Sequence, residues 1–171
     1  MESIGEFPKR LNTADKWILS KMNILIKDMT IALNKFDIGF ASGRIYDFVW
    51  SEFCDWYIEI SKPLLNSNDE KQKLHAVNML QYVLVNILKL LHPFMPFITE
   101  EIYSMIYPDR ILMTESWPEY QRRFSYKNEM NLIDSMKELI VSIRNVRNTM
   151  GIAPNRKIEG YILNSRKKEA D

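Results

Sequence analysis

The stretch LQYVLVNILKLLHPFMPFITEEIY, residues 80–103, carries the strongest structural signal in the sequence. Its first half, residues 80–91, is apolar nearly all round, which is typical of a helix at the centre of a bundle. Pro93 stops that helix, and Pro96 suits the first turn of the next one, where a missing N–H costs no hydrogen bond. The stretch therefore predicts a rigid elbow at residues 92–103. Three apolar side chains of the elbow are expected to pack under the end of the bundle: Phe94, Met95 and Phe97.

Further helices are indicated by apolar side chains at three- and four-residue spacing. The first helix begins at Asn12 or Thr13, either of which suits an N-cap, and ends before Asp37. The second covers about residues 40–62, because the residue before Pro63 is pushed out of helical geometry. Its two tryptophans, Trp50 and Trp56, are expected in the core.

The last predicted helix covers about residues 127–150, with Gly151 as its C-terminal cap. Its apolar stripe is Leu132, Met136, Leu139, Ile143, Val146 and Met150. The alternation in KIEGYIL, residues 157–163, is typical of a strand, and an extended segment at 111–118, closed by Trp117, is a second strand candidate.

The fold class is therefore mainly α, a bundle of about five helices with one or two short C-terminal strands. Residues 1–126 are expected to form the bundle core, including the elbow and the extended segment. Residues 127–171 supply the last bundle helix, one strand and a loose tail, the start of a following subdomain. A strand with few candidates to pair with indicates a piece of a longer chain.

The composition of the 171 residues indicates a folded domain without a disulfide framework, since Cys54 is the only cysteine. No apolar run is long enough for a membrane span, and the polar start does not fit a signal peptide, so a cytoplasmic location is expected. Residues 45–120 hold five Lys+Arg against eleven Asp+Glu, whereas residues 121–171 hold eleven against six. Basic ends suggest a polyanionic partner, although scatter on a solvated surface gives the same counts.

Catalytic and metal-binding patterns are lacking. The five glycines are scattered, so there is no Gly-rich phosphate loop. His75 and His92 have no Cys or Asp at metal-ligand spacing, and Cys54 has no nearby His. Adjacent carboxylates on a helix diverge by about 100°, so the pairs at 69–70 and 100–101 do not converge on one bond. The residues predict a helical domain that is not itself catalytic.

Several stretches occur in one order: ADKWILSKMN, VWSEFCDWYIEISKPLL, LLHPFMPFITEEIY, ILMTESWPEY and IRNVRNTMGIAPNRKIEGYIL. Together, from about Leu11 to Leu163, they resemble the anticodon-binding helical domain of class Ia aminoacyl-tRNA synthetases, and most of all that of valyl-tRNA synthetases. An isoleucyl or leucyl enzyme is a close alternative. A helical protein-interaction module without an RNA role is an alternative of another class.

The resemblance implies a parent enzyme, expected to be a monomer, that attaches valine to its tRNA with ATP and Mg²⁺. The HIGH-type and KMSKS-type signatures of adenylate formation are absent here, so this fragment is expected to carry no catalytic residue and no cofactor. Its expected partners are the anticodon stem-loop of tRNA and the catalytic and C-terminal domains of the parent chain, with no membrane involved.

RNA loops are bound by stacking bases on aromatic rings and by pairing phosphates with Lys and Arg. Trp17, in the first turn of a basic helix, is the aromatic candidate; the alternative is that it is the first core residue. The cations on the last helix share one face, which suits a stem-phosphate track, a docking face or plain solvation. The candidate RNA-binding residues are Lys9, Arg10, Lys16, Trp17, Lys21, Arg44, Lys137, Arg144, Arg147 and Asn148. Changing Lys16 and Lys21 to Glu is expected to abolish RNA binding and spare the fold.

Overall fold

The computed structural model describes residues 5–153 and 155–157, which fall into two compact units, Met1–Asp134 and Ser135–Asp171. The described elements are helical, and no strand occurs among them. They are α1 (Thr13–Asn34), α2 (Ile38–Asp47), a π-helix (Phe48–Ile58), α3 (Glu59–Leu65), α4 (Glu70–Leu91), α5 (Pro96–Ile106), two 3-10 turns (Leu112–Thr114 and Arg122–Phe124) and α6 (Lys127–Thr149). The predicted helical bundle is thus confirmed.

Helix α1 is the central element of the first unit, in contact with α2, the π-helix and α4. It begins as predicted: the Asn12 side chain accepts a hydrogen bond from the Asp15 N–H, and the Asp15 carboxylate accepts one from the Asn12 N–H, both at 2.9 Å. This capping box satisfies two backbone donors. The apolar side chains of α1 that recur at three- and four-residue spacing are buried: Ile18, Met22, Leu25, Met29 and Ala32. Phe36, which continues this spacing in the sequence, lies past the helix end with φ 58°, and its side chain is 88% exposed.

The second predicted helix is one helical run, Ile38 to Leu65, that passes through the π-helix. Pro63 does not end it, and that prediction was wrong: the helix continues to Leu65, at the cost of the one hydrogen bond that an N–H at position 63 would have donated to the carbonyl of Glu59. Trp50 was expected in the core and is exposed instead. It lies two residues after the buried Phe48, and two residues advance roughly half a turn, so its side chain is directed away from the core. Trp56 is half-buried against the core.

Helix α4 packs against α1, α2, α3 and α5, as its all-round apolar second half predicts. Among the described residues it is also the one helix long and apolar enough, by length and composition, to cross a membrane, with a mean hydropathy of 1.4 over the most apolar stretch. Its core position accounts for that apolarity: Met79, Val83, Ile87 and Leu90 belong to the main core.

The elbow differs from its prediction. Pro96 does occupy the first turn of α5, and Phe94 packs against the main core. Met95 and Phe97, however, are exposed, Phe97 to 90%. The buried side of α5 is set by Thr99 and Tyr103, and a residue two positions before Thr99 lies about 200° away around the helix. The expectation that these side chains tuck under the bundle was therefore wrong.

The segment after α5 is extended without forming a strand among the described residues. Its first 3-10 turn contributes Leu112 to a second, smaller core with Leu88 and Tyr103. Trp117 closes the segment: its indole N–H donates to the Thr30 hydroxyl at 3.0 Å. The strand predicted at 157–163 falls almost wholly outside the described residues.

Helix α6 ends as predicted, with Gly151 in the left-handed conformation at φ 64°. Met130 and Ile133, in its first turns, pack against the core of the first unit. The apolar stripe defined from the sequence is not buried: all six of its members are exposed. The clean helical period thus predicted the helix correctly but not its burial.

A buried carboxylate joins three elements of the bundle. Asp15 is buried, and its two oxygens accept hydrogen bonds from the Tyr57 hydroxyl and pair with His75 Nε2, each at 2.7 Å. Burial and the nearby carboxylate raise the pKa of the Tyr57 hydroxyl well above its ordinary value, so it remains a donor. His75, for which the sequence showed no Cys or Asp at metal-ligand spacing, is thus a partner of the distant Asp15.

Replacing this carboxylate is expected to be costly. Asp15→Ala leaves the Tyr57 hydroxyl and the His75 ring without their partner, so the free energy of unfolding should fall by about 3 kcal/mol or more. Urea unfolding followed by circular dichroism measures it. The matched control is Asp28→Ala, which removes a carboxylate from a half-exposed pair with Arg44 and should cost less than about 1 kcal/mol. Equal losses of stability in the two variants would contradict the central role of Asp15.

Candidate nucleic-acid interface

Trp17, the aromatic chosen from the sequence for base stacking, lies in the core. Its side chain is 0% exposed, and its indole N–H donates to Asp134 Oδ1 at 2.9 Å. Neither face of the ring can stack on a base. The alternative weighed from the sequence, that Trp17 is the first core residue of the stripe, is the one the structure supports.

Lys16 and Lys21 lie on either side of Trp17 and also contact α6. Lys16 Nζ pairs with Glu129 Oε1 at 2.8 Å, and Lys21 Nζ pairs with Asp134 Oδ2 at 2.7 Å. The hydrogen bond between Lys16 and Glu129 raises the pKa of the lysine and lowers that of the carboxyl. We call these five residues the α1–α6 seam. Sequence reasoning missed it because the partners are more than a hundred residues apart.

Arg44 is engaged in a similar way. Its guanidinium donates twice to Asp28 Oδ2, from Nε at 3.1 Å and from Nη2 at 2.9 Å, which ties α2 to α1. Three of the predicted cations, Lys16, Lys21 and Arg44, therefore already have carboxylate partners within the fold. An RNA phosphate has to compete with those carboxylates for each of them.

Lys9 and Arg10 lie in the exposed lead-in to α1. Two contacts hold this lead-in against the bundle. The Gly5 N–H donates to Asn78 Oδ1 at 2.8 Å, and the ring of Phe7 lies against Tyr82 and Phe124, with centroids 4.8 and 5.6 Å apart. The two cations thus project from an anchored segment.

The second 3-10 turn adds two cations that the sequence analysis did not select. Arg122 and Arg123 are exposed, and the Arg123 guanidinium lies 4.7 Å above the ring of Phe124. The turn is fixed by Asn23, whose side-chain amide exchanges two hydrogen bonds with the Gln121 backbone, at 2.8 and 2.9 Å. Adjacent arginines in a segment without helical period are the signal that could have identified this pair.

The contact between Phe7 and Phe124 brings the lead-in and the second 3-10 turn side by side. We call the four cations on these two segments, Lys9, Arg10, Arg122 and Arg123, the basic corner. Two exposed carboxylates, Glu6 and Glu119, belong to the same segments. The corner therefore combines a net positive charge with the partly exposed rings of Phe7 and Tyr120.

The remaining candidates lie on α6 in the second unit. Lys137 is half-buried, whereas Arg144 and Asn148 are exposed. Arg147 supports the turn after the helix, because its guanidinium donates to the carbonyl oxygens of Ala153 at 2.6 Å and Arg156 at 2.9 Å. Of these four, Arg147 has a structural task, and their role toward RNA stays a prediction.

Comparison with known proteins gives the family. Residues 15–162 match the family described as the anticodon-binding domain of tRNA ligase. The chain belongs to this family. The match covers the bundle, the elbow and α6, and its extent agrees with the resemblance noted in the sequence.

Several relatives of this anticodon-binding domain are named valine–tRNA ligase. The protein of Clostridium tetani is 47% identical over 150 residues, which are 87% of this chain and 17% of that relative. Those of Clostridium acetobutylicum and Staphylococcus carnosus are 42% and 35% identical over 158 residues, 92% of this chain and 18% of each relative. The chain thus spans less than a fifth of the length of the relatives it matches.

The side chains that the sequence analysis considered for catalysis or metal binding have the following surroundings. In residues 5–153 and 155–157 no group of three or more His, Cys, Asp or Glu side chains is placed to hold a metal ion. His92 Nδ1 lies 2.9 Å from the Thr99 hydroxyl, and burial raises the pKa of the Cys54 thiol.

Because of the α1–α6 seam, reversing the charge of Lys21 is expected to lower the stability of the fold. Lys21→Glu places a new carboxylate beside those of Asp134 and Glu52, so the free energy of unfolding should fall by about 1–2 kcal/mol. Urea unfolding monitored by tryptophan fluorescence checks this. The structure thus replaces the expectation that reversing Lys16 and Lys21 spares the fold.

Lys35→Glu is the matched control, because it makes the same charge change at the exposed end of α1. Its unfolding free energy should stay within about 0.5 kcal/mol of the parent chain. If Lys21→Glu proved as stable as Lys35→Glu, the seam would not hold α6 to α1.

Proposed function

We propose that this chain is the anticodon-binding part of a valine–tRNA ligase and that it binds the anticodon stem-loop of the tRNA that receives valine. The family match over residues 15–162 is the observation that carries the proposal. The choice of valine over isoleucine or leucine is supported by the relatives, which are named valine–tRNA ligases at 35–47% identity.

The parent enzyme, in this proposal, joins valine to tRNA with ATP and Mg²⁺ in a catalytic domain elsewhere in a longer chain. The domain described above contributes RNA binding and no catalytic group. The parent is proposed to be a cytoplasmic monomer, with the catalytic and C-terminal domains as the intramolecular partners of this one.

We place the main RNA contact at the basic corner rather than at the α1–α6 seam. Lys16 and Lys21 are held by carboxylates of α6. The four cations of the corner are exposed side chains on two anchored segments, and the Arg123 Nε–H also donates to Gln121 Oε1 at 2.8 Å. Arginine suits phosphate because its planar guanidinium can donate two parallel hydrogen bonds. The partly exposed rings of Phe7 and Tyr120 supply stacking surfaces for unpaired loop bases.

The cations of α6 form a second, independent part of the proposal. Lys137, Arg144 and Asn148 follow one another at seven- and four-residue spacing and so share a face of the helix. We propose that they contact the phosphates of the stem. Arg147 belongs to this part of the proposal because it orders the turn that follows α6. Its guanidinium N–H groups donate to backbone carbonyl oxygens of that turn.

A helical protein-interaction module without an RNA role is the second candidate. The exposed apolar side chains of the elbow favour a protein contact. Such a contact is compatible with RNA binding on another face, so the two candidates are separated by whether RNA binds and not by whether protein does.

Binding to the valine anticodon stem-loop should depend on the second 3-10 turn. Arg122→Glu with Arg123→Glu is expected to weaken the binding about tenfold or more, because two attractive interactions with phosphate become repulsive. The slope of log K against log[salt] should fall by about one for each phosphate that the variant no longer neutralises. Fluorescence anisotropy titrations of a labelled stem-loop at several salt concentrations measure both quantities.

Lys35→Glu with Lys71→Glu makes the same charge change away from the basic corner and is expected to leave the affinity within about twofold, apart from the long-range charge effect. Circular dichroism confirms that each variant is folded. No binding by the parent chain, or equal binding to stem-loops with any anticodon, would refute the proposed function. Equal weakening of the affinity in the two double variants would refute the basic corner alone.

A further inference from the structure

We propose that the outer face of the elbow is a docking surface for another domain of the same ligase chain. The proposal rests on the proposed function, in that it takes this chain to be part of a longer ligase. We call the surface the elbow face and define it by four exposed apolar side chains: Met95, Phe97, Met105 and Met113.

The side chains of the elbow face are apolar and largely exposed. Phe97 is 90% exposed, and Met105 and Met113 are each 72% exposed. Phe97 and Met105 are eight residues apart on α5, so they lie two turns from each other along the helix and about 80° apart around it. Exposed apolar side chains of this size mark interaction sites when they are grouped, and Met113 is joined to α5 by the hydrogen bond between its N–H and the Glu100 carboxylate.

Hydrogen bonds hold the elbow face in a fixed shape. The Glu100 carboxylate accepts from the N–H groups of Leu112 and Met113 at 2.8 and 3.3 Å, which ties the first 3-10 turn to α5. The Thr99 hydroxyl donates to the Met95 carbonyl at 2.8 Å. Between Phe97 and Met113 lies a groove of about 260 Å³. A partner thus meets a preformed surface and loses little entropy in ordering it.

The charge around the groove selects protein over RNA as the occupant. Glu100 and Glu101 line the groove beside Phe97, and the described residues that line it include no Lys or Arg. Phosphates are repelled by such a rim, whereas a polypeptide with apolar side chains flanked by Lys or Arg fits it. The occupant we infer is therefore an apolar segment with a cationic border.

The length of the relatives indicates where that segment comes from. More than four fifths of each relative lies outside the aligned region, so most of the protein is available to cover this domain. Interfaces between separate molecules usually bury about 1,200–2,000 Å², more than a patch of about four side chains offers. Within one chain, the high effective concentration makes a small patch sufficient. A domain of the same polypeptide is thus favoured over a second copy.

Phe97→Asp tests the docking in two settings. In the 171-residue chain it should leave the urea midpoint unchanged, because the ring contacts little of this domain. In the complete ligase chain, limited proteolysis without RNA should cut at the domain junction about tenfold faster or more, since a buried aromatic is removed from the interface. Hydrogen exchange at α5 and the first 3-10 turn should be slower in the complete chain than in the fragment.

Phe36→Asp is the matched control, since Phe36 is 88% exposed at the far end of α1. It should not change the proteolysis rate of the complete chain. Equal acceleration by the two variants, or none by Phe97→Asp, would overturn the proposal. A concentration-dependent dimer of the fragment that Phe97→Asp abolishes would overturn it in favour of a second copy. Because no RNA is present, these outcomes are independent of whether the anticodon stem-loop binds.

Discussion

The carboxylate of Asp15 is the constraint on which the bundle depends. It closes the capping box of α1, and the same two oxygens receive the Tyr57 hydroxyl and face His75 Nε2. A buried carboxylate without such partners is strongly unfavourable, so the π-helix and α4 must both meet α1 at its first turn. One residue thereby fixes the helix start and the convergence of three elements.

The opposite side of the same turn attaches α6. Lys16, Trp17 and Lys21 contact Glu129 and Asp134 of α6. The residues that the sequence favoured for RNA binding therefore make contacts within the fold. Positive charge on a helix is therefore ambiguous until its carboxylate partners are known. The cations of the basic corner differ because they lie on short segments fastened by other groups: Phe7 by ring contacts and Gln121 by the Asn23 amide.

Local signals in the sequence predicted local structure well. Asn12 as N-cap, Pro96 in a first turn and Gly151 as a left-handed cap all follow from backbone rules that need no tertiary information. The misses have physical causes of two kinds. Ion pairs such as Lys16–Glu129 join residues 113 positions apart, which no periodicity reveals. Trp50 was assigned to the core because its helix is rich in apolar residues, but it lies two residues after the buried Phe48 and so on the opposite side of the helix.

The exposed elbow is a separate case, which concerns what an apolar side chain predicts about burial. An apolar side chain at a corner predicts that the side chain is buried, but the sequence does not specify which part of the protein buries it. Phe97 and the stripe of α6 are exposed within this chain, and the relatives extend far beyond it. The acidic rim of the elbow face and the positive charge of the basic corner give two surfaces of opposite sign. Under the two proposals, a polyanion is attracted to one surface and a cationic polypeptide segment to the other, so that RNA binding and domain docking need not compete.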